Sequence, residues 1–345
     1  MTTTRTLDLV CLGRVAVDIY GEQLGSALEA MQSFAMYLGG CAGNIAVGCA
    51  RQDLRVAMLS RVGDEQMGRF VRQTLLAEGV DVSRLQTDPH RLTGLVLLAL
   101  RDRATFPLVF YRENCADMAV ECGDEDKAFI ARATALLVTG THFSQAGVDA
   151  VSRQAMAAAR AAGTRVVLDI DYRPVLWGLT GHCMGESRYV SNERVSAHLQ
   201  SILPGCDLVV GTEEEFRIAG GSDDVLSALR QVRSQTPALL VLKSGPKGCV
   251  IFAGEIPQDL DHGQVERGLP VEVLNVLGAG DAFLSGFLRG WLRDEDLFTC
   301  ARYANACGAL VVSRHGCAPA MPTRVELDDY LGRAASIARI DRDPR

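Results

Sequence analysis

Short apolar runs alternate with longer stretches of helical period along most of the chain. Leu7–Leu12 reads as a buried strand, and Gly39–Arg51 as a glycine-rich turn entering an alanine-rich helix. Arg55–Ser60 predicts a second strand, and Met67–Glu78 a helix closed by Gly79. Ala135–Thr139, Arg165–Ile170, Asp207–Val210 and Leu239–Leu242 predict further strands, and helical segments precede three of these four. Val148–Ala162 is the clearest of those helices and ends at Gly163. Strands separated by helices imply βαβ units and a mostly parallel sheet covered on both faces.

Two segments break this rhythm. Arg14–Tyr37 follows the first strand but is no compact crossover helix. Leu92–Arg101 and Leu108–Arg112 resemble a hairpin with Phe106-Pro107 near its turn. Strand-like insertions in a parallel-sheet protein often cover a ligand cleft, so lid segments are expected over about 14–38 and 90–120. An extra sheet edge is the other reading. There is no internal repeat, so one domain is expected over 1–330, with a polar tail over 331–345.

The composition narrows the classes. With 48% hydrophobic residues in 345, the chain can bury a large core, which excludes disorder and small disulfide scaffolds. A net charge of −7 makes nucleic acid an unsuitable partner. No apolar stretch approaches the ~20 residues of a membrane span, and Asp8 interrupts any secretory core. The expectation is a cytoplasmic protein with no membrane partner. Eleven cysteines include no C-x-x-C pair and sit among small or apolar neighbours, as reduced core residues do. Only three lysines occur, and two of them, Lys243 and Lys247, flank a glycine turn.

The most informative stretch is Asn275-Val276-Leu277-Gly278-Ala279-Gly280-Asp281-Ala282-Phe283. A β-like run, Val271–Leu274, precedes it and a helical pattern, Ala282–Leu292, follows. A glycine-rich turn opening a helix presents unpaired N–H groups reinforced by the helix dipole, a cradle for a phosphoryl group. Asp281 would repel that phosphate, which makes sense if it takes a proton from an attacking hydroxyl. An N-cap role is equally open. The stretch is neither a P-loop nor G-x-G-x-x-G. A second cluster, Leu38-Gly39-Gly40-Cys41-Ala42-Gly43-Asn44, could lie against a hydroxylated ligand, with Asn44 and Asp18 exchanging hydrogen bonds with it.

Gly39–Ala46, Ser60–Gly68 and Gly278–Asp281, in this order and spacing, resemble the signature segments of the ribokinase-like (phosphofructokinase B) sugar kinases. The similarity runs from about Leu7 to about Pro322. It implies a three-layer α/β/α sandwich with a small β lid, and ATP-dependent phosphorylation of a sugar-like hydroxyl. By position, Asp281 would be the general base, and the Gly278, Ala279 and Gly280 amides the anion hole. Asp18, Gly40 and Asn44 would contact the sugar. Glu215 would organise Mg2+ through water. Thr212 replaces an asparagine, which puts its nucleotide contact in doubt. Lys243, Gly245 and Gly248 match a nucleotide-side turn, and Asn305 the helix beside the adenine. Asn275 and Val276 replace the family's Asp-Thr pair, which puts a monovalent cation in doubt.

Arg173, in Asp169-Ile170-Asp171-Tyr172-Arg173-Pro174, and Arg112 in the lid could read an anionic substrate or serve structural ion pairs. Cys11–Gln23, Tyr111–Met118, Asp169–Pro174 and Gly211–Phe216 resemble the family's kinases of a keto-deoxy acid sugar in inositol catabolism, phosphorylated at its C6 hydroxyl. A small-molecule acid sugar and ATP are therefore the expected partners, and a homodimer through the lid stays open. Kinases of another keto-deoxy acid, fructose or ribose, and a silent sugar sensor on the same fold, are the alternatives.

Overall fold

The computed structural model describes residues 5–102 and 105–340. Its strands are β1 (Leu7–Leu12), β2 (Ala16–Gly21), β3 (Phe34–Gly39), β4 (Val56–Gly63), β5 (Leu85–Asp88), β6 (Gly94–Leu98), β7 (Leu108–Tyr111), β8 (Ala133–Thr139), β9 (Arg165–Asp169), β10 (Leu208–Thr212), β11 (Leu239–Lys243), β12 (Cys249–Phe252) and β13 (Gln264–Glu266). Its α-helices are α1 (Cys41–Arg51), α2 (Gln66–Ala77), α3 (Asp124–Ile130), α4 (Ala146–Ala161), α5 (Glu193–Gln200), α6 (Glu213–Gly220), α7 (Val225–Gln235), α8 (Ala279–Trp291), α9 (Leu297–Val312) and α10 (Arg324–Ile340).

Nine strands form one sheet in the order β13-β12-β11-β10-β9-β8-β1-β4-β5. From β5 across to β11 they run parallel, while β12 and β13 turn back antiparallel at one edge. Successive residues of β1 serve opposite cores. Leu9 and Cys11 pack with α1, α2, α8 and α9; Val10 and Leu12 pack with α3 to α7. Burial on both faces is why these strands read as unbroken apolar runs in the sequence. The mostly parallel, two-sided sheet expected from the alternation forms, as the α/β/α sandwich implied by the resemblance.

The two irregular segments build a second sheet, in the order β3-β2-β6-β7. It consists of antiparallel pairs β2–β3 and β6–β7 joined by parallel β2–β6 pairing. This is the small β lid. Its inner side, including Tyr20, Val96, Leu98 and Phe110, faces a cleft over the main sheet.

Two expectations are corrected. Val271–Leu274 forms no strand; its side chains stay partly or wholly exposed, so no sheet face buries them. The tail expected from 331 continues α10 as far as Ile340, because Leu327 and Leu331 repeat four apart and turn one helix face to the core. Residues 341–345 lie outside the described residues. Among the described residues no helix is long and apolar enough to cross a membrane. The cysteines with described side chains are buried and unpaired.

Candidate active site

The chain leaves β1 toward β4 on one side and later adds β8 on the other, so strand order switches at β1. In parallel sheets such a switch opens a crevice at the carboxyl ends of the strands. A cleft of about 430 Å³ lies there, roofed by the lid.

Two helices begin at this cleft. Gly40 precedes α1 at φ 88° and Gly278 precedes α8 at φ 76°, a region that L side chains occupy only under strain. A Cβ on Gly40 would also stand 2.6 Å from the Arg14 carbonyl oxygen. The first-turn N–H groups of both helices lack intrahelical acceptors and carry the positive end of the helix dipole. The Ala279 N–H meets the Val276 carbonyl only at a marginal 3.4 Å.

Asp281 is the third residue of α8, and Gly278 holds the N-cap position, which removes the capping reading of the aspartate. Its carboxylate lines the cleft, and Oδ2 accepts a hydrogen bond from Asn44 Nδ2 at 2.8 Å. Burial, and then the charge of Asp171, push this carboxyl above its ordinary value, against the pull of Asn44, Cys41 and Lys243. Asp18 reaches the same cleft from β2 of the lid. Burial raises it to about 7, with Arg14 and Arg112 opposing and Asp281 adding to the rise. Gly40 and Asn44 complete this side.

On the other side, Lys243 Nζ stands 3.2 Å from Asp169 Oδ1 and 3.5 Å from Glu215 Oε2. A Cβ on Gly280 would come within 3.3 Å of that ammonium, so the glycine lets a cation sit against the start of α8. Burial alone would push Lys243 down, but Asp169 and Glu215 hold it firmly charged. Thr212 caps α6: its Oγ1 accepts from the Glu215 N–H at 3.3 Å while Glu215 Oε2 accepts from the Thr212 N–H at 2.8 Å. Such a box is worth about 1 kcal/mol and fixes where the Glu215 carboxylate points. Arg173 lines the cleft with its guanidinium already engaged, by Asp171 at 3.2 Å, Glu215 at 3.6 Å and the Tyr172 carbonyl at 2.8 Å.

Arg112 is not brought to the cleft. Just past the end of β7 its side chain turns inward, is buried, and pairs with Asp117 beside Met118. Gly245 and Gly248 shape the turn between β11 and β12 at φ 55° and 96°, and Asn305 Nδ2 donates to the Glu266 and Arg267 carbonyls, both at 3.1 Å. These three stand beside the β12–β13 edge, outside the cleft lining.

Several cleft residues were not singled out from the sequence. Arg14 forms a buried ion pair with Asp171 at 3.1 Å, and Thr141 bonds both. Burial alone would raise Asp171, but Arg14 and Arg173 hold it below the usual carboxylate range. Asp171 also has φ 33°, unusual for a non-glycine and the kind of strain that functional sites retain. The signal for Asp169 and Asp171 was available: two carboxylates two residues apart at the carboxyl end of a parallel strand. Arg188 had none, because 178–192 carries no periodicity. It lies over the Phe106 ring at 5.2 Å and, among the described residues, has no carboxylate within ion-pairing distance.

The donor chemistry can be matched to ions. Mg2+ is a hard cation that takes oxygen ligands, and Asp169, Glu215 and Asp281 supply carboxylates to one cleft. Ligand atoms of Cys41, Asp169 and Asp281 lie within 4.8 Å of one another. That set fits a divalent cation through its carboxylates. A monovalent cation fits poorly at Asn275, whose buried amide is spent on the Arg314 carbonyl at 2.8 Å and the Leu277 N–H at 3.0 Å.

A lidded parallel-sheet cleft, a glycine-capped helix start and a facing carboxylate are suited to holding a phosphoryl group beside a proton acceptor. The family described as pfkB family carbohydrate kinase matches residues 6–324, and the chain belongs to it. It is 30% identical over 334 residues to a 5-dehydro-2-deoxygluconokinase of Geobacillus kaustophilus, covering 95% of this chain and 94% of that one. A PfkB protein from Polaromonas sp. JS666 superposes with a TM-score of 0.77 at 26% identity, over 94% of this chain and 99% of the other. A fructokinase with bound ATP from Xylella fastidiosa gives 0.78 at 23% identity, over 97% and 100%.

Proposed function

We propose that this kinase transfers the γ-phosphoryl of ATP to the C6 hydroxyl of 5-dehydro-2-deoxy-D-gluconate, as a cytoplasmic step of inositol catabolism. The observation that carries the transfer chemistry is the Asp281 carboxylate, held by Asn44 at 2.8 Å beside the glycine-capped start of α8. The choice of sugar is supported by the relative of that name and by the arginines of the cleft.

The sugar binds under the lid against Asp18, Gly40, Asn44 and Arg173. ATP enters from the Thr212, Lys243, Gly245, Gly248 and Asn305 side. Asp281 accepts the proton of the C6 hydroxyl as that oxygen bonds to the γ-phosphorus. The bond from phosphorus to the β-bridging oxygen breaks, and ADP leaves. The Gly278, Ala279 and Gly280 amides and the Lys243 ammonium lie where the moving negative charge would pass. Glu215, through water, with Asp169 would hold Mg2+, which neutralises phosphate charge when bound. The apolar lid residues Val96, Leu98 and Phe110 exclude the water that would otherwise compete as acceptor.

A coupled ADP-release assay across five acceptors tests this: two keto-deoxy acids, fructose, ribose and a nucleoside. The expected result is turnover of 5-dehydro-2-deoxygluconate well above the rest. Preference for 2-keto-3-deoxygluconate or a neutral sugar reassigns the substrate. Silence on all five with tight sugar binding makes the protein a sensor.

A further inference from the structure

The cations around the cleft differ in one respect. Arg14 is committed to Asp171 and Thr141, Arg173 to Asp171 and Glu215, Lys243 to Asp169 and Glu215, and Arg112 to Asp117 outside the lining. Arg188 lines the same cleft, and among the described residues no carboxylate stands within 4.0 Å of its guanidinium. Its guanidinium carbon stands over the Phe106 ring of the lid connection, 5.2 Å from the centroid, a cation–π contact that holds the head group against the lid.

Its backbone is held from two directions. The Tyr172 hydroxyl donates to the Val190 carbonyl at 2.6 Å, tying the segment to the residues after β9. Gly185 packs so closely on the Leu108 carbonyl that no Cβ would fit, tying the same segment to β7. A half-buried guanidinium held this way, beside Arg173 and with no carboxylate in ion-pair contact among the described residues, is suited to binding an anion. Arg173 and then burial push it down to about 10, against the more distant pull of Glu215, Asp171 and Asp281.

We infer that Arg188 is the residue that recognises the substrate's carboxylate, its planar fork taking the two oxygens while Phe106 holds the guanidinium from behind. Its place against the lid puts it at the acceptor end of the cleft. The inference rests on the acid-sugar reading above and adds the residue that enforces it.

The test uses the full-length enzyme and two variants, Arg188→Met and Arg188→Lys, with thermal melts to verify folding. Each is assayed with 5-dehydro-2-deoxygluconate, with the same sugar carrying a hydroxymethyl group in place of the carboxylate, and with varied ATP. Arg188→Met is expected to raise KM for the acid by about 10- to 100-fold, with kcat, KM for the alcohol and KM for ATP each within about threefold. Arg188→Lys recovers part of the loss, and carries the test alone if the Met variant does not fold. Equal losses on acid and alcohol, a raised KM for ATP, or unchanged kinetics each overturn the role of Arg188, the second because it would place the arginine on the nucleotide phosphates. A wild-type enzyme with no preference for the acid overturns the acid-sugar reading itself and this inference with it. A wild type that prefers the acid, with variants that keep the preference, overturns Arg188 alone.

Discussion

Asn44 Nδ2 donates to Asp281 Oδ2 at 2.8 Å, joining the first turn of α1 to the first turn of α8. The bond orients the carboxylate across the cleft. Asp281→Asn should lower kcat by about 10²- to 10⁴-fold, the usual contribution of a positioned base. ATP affinity, read by calorimetry, should be preserved. Near-normal turnover would remove Asp281 from proton transfer.

Asp18 has a measurable electrostatic cost. Its folded value, raised to about 7 by burial, exceeds the unfolded 3.8, so its charged form is disfavoured in the fold. The stability it contributes is complete below about pH 4 and is lost as pH rises through about 7. Asp18→Asn should therefore melt above wild type at pH 8, with a gain on the order of 2–4 kcal/mol, and lose that advantage near pH 4. A pH-independent difference in Tm would contradict the burial argument.

Arg173 offers a contrast with Arg188. Two carboxylates, Asp171 and Glu215, share it. Removing it takes away one of the two cations that each of these buried carboxylates faces, with Arg14 and Lys243 remaining. The cost should therefore stay below the ~3–5 kcal/mol of a fully unpaired buried charge. Arg173→Ala should lower Tm and slow acid and neutral acceptors alike. A loss confined to acids would make Arg173 the carboxylate reader.

Potassium should have little effect. Asn275 fills its own surroundings with hydrogen bonds and brings no charge. Exchanging K+ for Na+ or a bulky organic cation should leave kcat within about twofold. Strong selective activation by K+ would place a cation where the amide now bonds.

The outer side of the lid exposes Phe34, Met36 and Tyr111, between 40% and 60% accessible. We propose that a second copy covers them, giving a homodimer. Light scattering should return twice the chain mass, and Phe34→Glu with Met36→Glu should halve it. A monomeric wild type would rule this out.

The fold was legible wherever burial is two-sided, because β1, β8, β9 and β10 carry apolar runs that need no context. The glycine turn at 278–281 was legible because few other arrangements explain two glycines before an acid. Arg112 stayed open between two readings for a physical reason. A charge next to a lid strand can point either way, and only its meeting with Asp117 decides. Asp281 as a cap or a base could not be separated until the backbone placed Gly278 one turn edge earlier. Arg188 carried no local signal at all, since its role comes from Phe106 and Tyr172, distant in sequence.

Because Asn44 and Asp281 lie 237 positions apart, their hydrogen-bonded pair is complete only late in synthesis. A nascent chain on the ribosome already carries the residues proposed to face the sugar while lacking the proposed base. Premature termination before α8 would thus leave a product without phosphoryl-transfer activity.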